Sequence, residues 1–143
     1  SHEIVIGRDY DPSIPESIID QDMVQQAVLN IMRNSVQALV QSGQSEGTIN
    51  VVTRIERQVT IHGERHPLCM KISLVDNGPG IPNELKDTLF YPMVTGKKEG
   101  TGLGLSIAQT LIDHHHGKID VESWSGHTDF SLYIPINRKE LTS

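Results

Sequence analysis

Residues 97–123 read KKEGTGLGLSIAQTLIDHHHGKIDVES, and the order of patterns in this run decides the fold. Gly100, Gly102 and Gly104 alternate with Thr101 and Leu103, then give way to a helical pattern over 103–115 with Leu103, Ile107 and Leu111 on one face. His114, His115 and His116 end that helix beside Gly117, where their partial charge suits a helix C-terminus. GKIDVESWSG and HTDFSLYIPI then alternate as a closing hairpin. A glycine loop at a helix start brings backbone N–H groups and a positive dipole end together, which suits phosphate. Thr101 offers a hydroxyl and Lys97 or Lys98 a mobile charge. The same residues also suit a flexible helix-entry loop. The spacing fits neither a Walker loop, since Gly96-Lys97 precedes another lysine, nor the dinucleotide fingerprint or the protein-kinase loop.

Working outward, HEIVIGRDY alternates as a first strand, and DPSIPESI is a proline-rich turn region. Asp22 to Gln41 is helical, with Val24, Val28, Ile31, Ser35 and Leu39 at helical spacing, and Ser42-Gly43 ends it. GTINVVTRIERQVTIHG reads as a long strand, ERHP as a turn, and LCMKISLVD as an apolar, central strand. NELKDTLF is a short helix, and YPMVTGKKEGTG is a polar loop long enough for a lid. Strands flank helices, yet the last two strands are adjacent. The expected fold is therefore α/β: a two-layer sandwich of a mixed β-sheet on about three helices.

The 143 residues suit one domain, expected over 1–143. A hydrophobic fraction of 36% and a charged fraction of 21% suit a soluble globular chain. A net charge of −6 argues against nucleic acid or an anionic membrane as partner, so affinity for a polyphosphate must come from local geometry. No run approaches the ~20 apolar residues of a membrane span, and a cytoplasmic setting is expected. Cys69 lies in an apolar strand and reads as a small buried residue.

Two further elements carry chemistry. On the helix 22–41, Asn30, Arg33, Asn34 and Gln37 fall within roughly 100° of one another. Asparagine is a poor helix former, whereas solvated faces favour Glu and Lys. An amide oxygen is a hard, neutral ligand for Mg²⁺. A solvated face remains the alternative. LVDNGPGIP places Asp76 at the end of an apolar strand, before Gly78 and Gly80. Asn77-Gly78 alone would suit a hairpin turn, but Pro79 and Pro82 oppose a direct return. A carboxylate there can accept from the exocyclic amine of adenine and repels the carbonyl of guanine. Gly80 would let the ring lie close to the backbone.

In this order, NIMRNSVQA, DNGPG, LFYPMVT and GTGLGLSIA resemble the N, first glycine, F and second glycine boxes of the ATP-binding domain shared by histidine kinases, gyrase, Hsp90 and MutL, the Bergerat fold of the GHKL superfamily. The resemblance runs from about Ile4 to Ile136. GTGLGLSIA with HHGKIDVES is similar to the sensor histidine kinases, and RDYDPSIPE with NIMRNSVQAL to their nitrogen-regulation branch.

The resemblance implies ATP and Mg²⁺ as cofactors. It places Asn34 on the metal and Asn30 near the phosphates. Asp76, Gly78, Gly80 and Ile81 would surround the base. Thr95, Lys97, Gly100, Thr101, Gly102, Leu103, Gly104 and Leu105 would follow the phosphates, and residues 93–101 would form the ATP lid. Many kinases of the family carry Lys three residues after the metal Asn; here it is Gln37, and Arg33 or Lys97 is expected to supply the charge. The hydrolysing branch has a Glu base where this chain has Asn30, which cannot take a proton. Transfer to a histidine on a separate phosphoacceptor domain is therefore expected, with the catalytic roles on Asn30, Arg33 and Lys97. No phosphoacceptor helix is legible, so the chain reads as a fragment of a larger kinase. Its implied partners are its own phosphoacceptor domain, the response regulator NtrC and a PII signal protein.

Overall fold

The computed structural model describes residues 3–9, 21–43, 46–86 and 105–136. In chain order they form β1 (Glu3–Asp9), α1 (Gln21–Gln41), β2 (Glu46–Ile61), β3 (Glu64–Asp76), α2 (Asn83–Lys86), α3 (Ser106–His114), β4 (Lys118–Trp124) and β5 (His127–Pro135). The five strands form one mixed sheet, ordered β1-β2-β3-β5-β4. β1 runs parallel to β2, the pairing that needs a crossover, and α1 lies between them in sequence. The other three pairings are antiparallel. The expected α/β sandwich is present, and LCMKISLVD lies in the middle of the sheet.

Alternation decides which face carries the helices. On β3, Leu68, Met70, Ile72 and Leu74 point one way and are at most 4% exposed. They join Phe130, Leu132 and Ile134 of β5 in one core with Val24, Ala27 and Ile31 of α1 and Ala108 and Ile112 of α3. The register pairs them in steps: Met70 with Ile134, Ile72 with Leu132, Leu74 with Phe130. The opposite face holds a smaller cluster of Val59, Ile61 and Cys69 under Tyr133. Cys69 is fully buried, as its setting implied, and burial pushes its thiol pKa up.

Two sequence expectations are corrected. ERHP is not the turn: the chain reverses at His62-Gly63, both at positive φ (51° and 82°), and β3 already runs from Glu64. The ladder lapses where Gln58 faces Pro67, because proline has no N–H to give, and Gln58 itself takes φ 55°. On α3 the packed face is Leu105, Ala108 and Ile112, while Ile107 is 56% exposed. Both stripes have helical spacing. The small Ala108 side is the one that closes against Ala27 and Ile31 of α1. The part of the expected helix 83–90 beyond Lys86 lies outside the described residues, as do Leu103 and Gly104 at the start of the expected helix 103–115.

Candidate functional site

The inward apolar ladder of β3 and β5 ends in a polar step. Asp76 continues the alternation of Leu74, Thr128 continues that of Phe130, and the two are register partners. Both are buried, Asp76 at 5% and Thr128 at 4% exposure. A carboxylate in this position is costly unless it is used. Gly78 N–H donates to Asp76 Oδ1 at 2.9 Å. Burial pushes the Asp76 pKa up; the Gly78 N–H, the Ser35 hydroxyl dipole and the His127 imidazole oppose that rise without cancelling it. Ser35 Oγ faces this region from α1 and is buried, near enough to the carboxylate to favour its charge but without the geometry of a formed hydrogen bond.

Asn34 sits one residue earlier on α1. Its Nδ2 donates to the Asn30 carbonyl at 3.2 Å, the local bond an asparagine makes one turn back. That fixes the amide so that Oδ1 is buried and carries no partner. Asn34, Ser35, Ala38, Asp76, Gly80, Ile81, Thr128 and Phe130 line one cavity of about 50 Å³. Its wall at Ala38, Pro79, Gly80 and Ile81 is shared with a cleft of about 780 Å³ that extends to Lys86, Ser123 and Trp124. An orphaned amide oxygen is the donor type that Mg²⁺ takes, and a buried carboxylate beside a hydroxyl is the donor set that an aminopurine edge takes. The residues present fit both groups.

Asn30 reaches across to α3. Its Oδ1 accepts from the Ala108 backbone N–H at 3.1 Å, across the α1–α3 contact. Leu105 at the N-cap of α3 provides no side-chain bond, so Asn30 supplies the cap from another helix. Arg33 does not line the Asp76 cavity; it is exposed and flanks a separate groove with Leu29, Met32, Val36 and Gln37. Leu105 is fully buried and serves the core. Thr95, Lys97, Gly100, Thr101, Gly102, Leu103 and Gly104, with the proposed lid, lie outside the described residues.

Gly78 and Gly80 are glycines for packing reasons. A Cβ on Gly78 would meet Asp76 Oδ1 at 2.9 Å. Gly80 stands at φ +89°, and its Cβ would fall 2.6 Å from the Trp124 carbonyl oxygen. The turn is therefore pressed onto the β4–β5 hairpin, where the Gly126 N–H donates to the Gly78 carbonyl at 3.0 Å. A purine lying close to Gly80 is not what demands a glycine there; the backbone of Trp124 already occupies that side.

Sequence reading missed Ser35, Ser123 and Thr128. Thr128 had a signal: in HTDFSLYIP it holds the inward position of an otherwise apolar alternation with Phe130, Leu132 and Ile134. Ser35 falls at a core-facing position of the α1 stripe, where spacing alone does not show what its hydroxyl meets. Ser123 pairs with Thr128 across its own hairpin, but nothing local signals its second contact, the Ile81 N–H of a turn some forty residues away in sequence.

Residues 19–138 match the family described as histidine kinase-, DNA gyrase B- and HSP90-like ATPase, and the chain belongs to that family. Within it, the chain is 59% identical over 135 residues to the sensory histidine kinase/phosphatase NtrB of Vibrio alginolyticus, covering 94% of this chain and 38% of that protein. The NtrB of Rhodobacter capsulatus is 36% identical, with 96% and 39% covered. The chain thus spans about two fifths of the length of these relatives. Among solved structures, the nucleotide-free catalytic domain of histidine kinase ThkA superposes with a TM-score of 0.68 at 29% identity, covering 93% of this chain and 79% of that one. Among the described residues no helix is long and apolar enough to cross a membrane.

Proposed function

We propose that the chain is the ATP-binding catalytic domain of a sensor histidine kinase of the nitrogen-regulation type, acting on a histidine of a separate phosphoacceptor domain. The observation that carries this is the Asp76–Thr128 step at the end of the apolar ladder, with the unpartnered Asn34 Oδ1 in the same cavity. The likeness to NtrB proteins across nearly the whole chain supports the same reading.

The roles follow from the chemistry of each group. The Asp76 carboxyl accepts from the adenine amine, and the apolar wall of Ile81 and Phe130 keeps water from competing for that edge. Asn34 Oδ1 is the oxygen offered to Mg²⁺. Bound there, the ion neutralises phosphate charge, much of what phosphoryl transfer requires. Asn30 is a positioning residue: by capping α3 it holds the helix that follows the glycine loop. Its amide cannot accept a proton, and its oxygen is already engaged with Ala108, so water has no base at this position. Transfer rather than hydrolysis follows. Lys97 and the residues from Gly100 to Gly104 are proposed to hold the phosphates, and Arg33, exposed at its separate groove on α1, to meet the incoming acceptor domain. The proposed partners are that domain, the response regulator NtrC and a PII signal protein, in the cytoplasm.

The test mixes the chain with γ-labelled Mg-ATP, with and without the phosphoacceptor domain. Label on the added domain with little free phosphate is the expected result. Steady phosphate release by the chain alone would overturn transfer in favour of a hydrolysing ATPase. Binding of ATP with neither product would leave a nucleotide-sensing module.

A further inference from the structure

Ser123, on β4, joins three pieces of the site. Its Oγ accepts from the Ile81 backbone N–H at 2.8 Å and lies 2.8 Å from Thr128 Oγ1. Its carbonyl accepts from Lys86 Nζ at 2.9 Å. The residue is 9% exposed, so its hydroxyl proton must find an acceptor inside the protein.

The direction of the Ser123–Thr128 bond follows from counting protons. A hydroxyl has one hydrogen and two lone pairs. Ser123 Oγ already receives the Ile81 N–H. If Thr128 donated to it as well, the Ser123 proton would be buried with no acceptor, which is costly. If Ser123 donates to Thr128 Oγ1, every group on Ser123 is used. The Thr128 proton is then released toward the cavity it lines with Asp76.

We propose that Ser123 is a positioning residue that fixes Thr128 as a hydrogen-bond donor into the base cavity, and so sets which purine edge the site accepts. This rests on the nucleotide reading above. The cavity then presents an acceptor, the Asp76 carboxylate, beside a donor, the Thr128 hydroxyl. Adenine is the complement: its 6-amino group donates and its N1 accepts. A 6-oxopurine offers an acceptor and an N1–H donor at the same two places and is mismatched at both. Ser123 lines the adjoining cleft rather than the base cavity, and it acts on the base through Thr128. The Ile81 N–H, contributed by the glycine turn, is what turns the relay to this polarity.

The test measures binding of Mg-ATP and Mg-ITP, which differ only at that edge, to the wild-type chain, Ser123→Ala and Ser123→Thr. The wild type is expected to prefer ATP by about tenfold or more, the scale of a mispaired buried hydrogen bond. Ser123→Ala should lose most of that preference by weakening ATP while leaving ITP nearly unchanged, and Ser123→Thr, which keeps the hydroxyl, should restore it. Equal weakening of both nucleotides in Ser123→Ala, or no change in either, overturns the proposal. Should the alanine variant not fold, Ser123→Cys gives the same comparison, because a thiol is a weak donor. A wild type that binds neither nucleotide overturns the nucleotide reading itself, and one that binds both equally overturns the base reading, each visible before any variant is made.

Discussion

Asn30 Oδ1 accepts from the Ala108 backbone N–H at 3.1 Å, so a side chain in the middle of one helix caps the first turn of another. The N-terminus of α3 has no side-chain cap of its own. Asn30→Ala should therefore cost about 1 kcal/mol, the usual loss for a removed cap. In a chain of this size that is a fall of roughly 3 °C in Tm. Asn30→Asp keeps an acceptor and adds charge of the sign a helix N-terminus favours, so it should melt at or above the wild type. Thermal unfolding of the two variants decides this; equal losses in both would remove the cap from the account.

Asp76 carries a cost in stability. Its pKa is raised in the folded chain, with burial as the largest cause. The sign then runs opposite to that of a paired carboxylate. Below the unfolded pKa of about 3.9 the group costs the fold nothing. The cost grows as pH rises toward the folded pKa and stays constant above it. Asp76→Asn should accordingly be as stable as the wild type or more so at neutral pH, with the gap closing in acid, while losing ATP affinity. Denaturant titrations from about pH 4 to 8 check the stability sign. A gap that widened in acid would contradict it.

Gly80→Ala meets two obstacles, the positive φ and the Trp124 carbonyl 2.6 Å from the new Cβ. Strain at φ alone costs about 1–3 kcal/mol, and a backbone oxygen cannot swing aside as a side chain can. A loss near the top of that range or above is expected in a denaturant melt. Gly63→Ala serves as a control, since its φ is +82° but nothing lies within 4 Å of the added carbon.

Removing the Asn34 side chain discards an oxygen that has no partner in the protein. Asn34→Ala should therefore fold about as well as the wild type, yet lose metal-dependent ATP affinity by about tenfold or more, a loss on the scale of disturbed metal sites. In excess EDTA the two chains should bind ATP alike. A difference that persists without metal would give Asn34 a direct contact to the nucleotide instead.

Cys69 is fully buried and its thiol pKa is raised by that burial, which disfavours the reactive thiolate. Alkylation of the native chain should be slow and should track unfolding as denaturant is added. Fast labelling of the folded chain would mean that the sheet opens around β3.

Much of this arrangement was legible in the residues. The period-2 runs located all five strands, and the apolar stripe of α1 located its buried side. Asp76 stood out because it ends an apolar run, and a charge in that place has few structural uses. Position within a stripe was harder. Ile107 and Leu111 share helical spacing with Leu105, Ala108 and Ile112, and only packing against α1 decides that the second set is fully buried while Leu111 is half-buried and Ile107 exposed. Asn30 was legible as unusual, but whether its amide faces a ligand or a helix end depends on how α1 and α3 cross. The bond from Ser123 to the Ile81 N–H was out of reach for the same kind of reason: local pattern carries no information about contacts made by distant turns.

The sheet order has a consequence for how the chain is made. β5, the last of the described strands, is not at an edge; it lies between β3 and β4. On a ribosome, the β1–α1–β2–β3 portion emerges first with one side of β3 unpaired, and Thr128 is among the last inward residues to arrive. Asp76 has no cavity around it until that strand is threaded into place. On the function proposed above, nucleotide capture waits for a chain whose synthesis has passed β5, and a ribosome stalled before it holds a half-sheet with an open β3 edge, the kind of surface that chaperones meet.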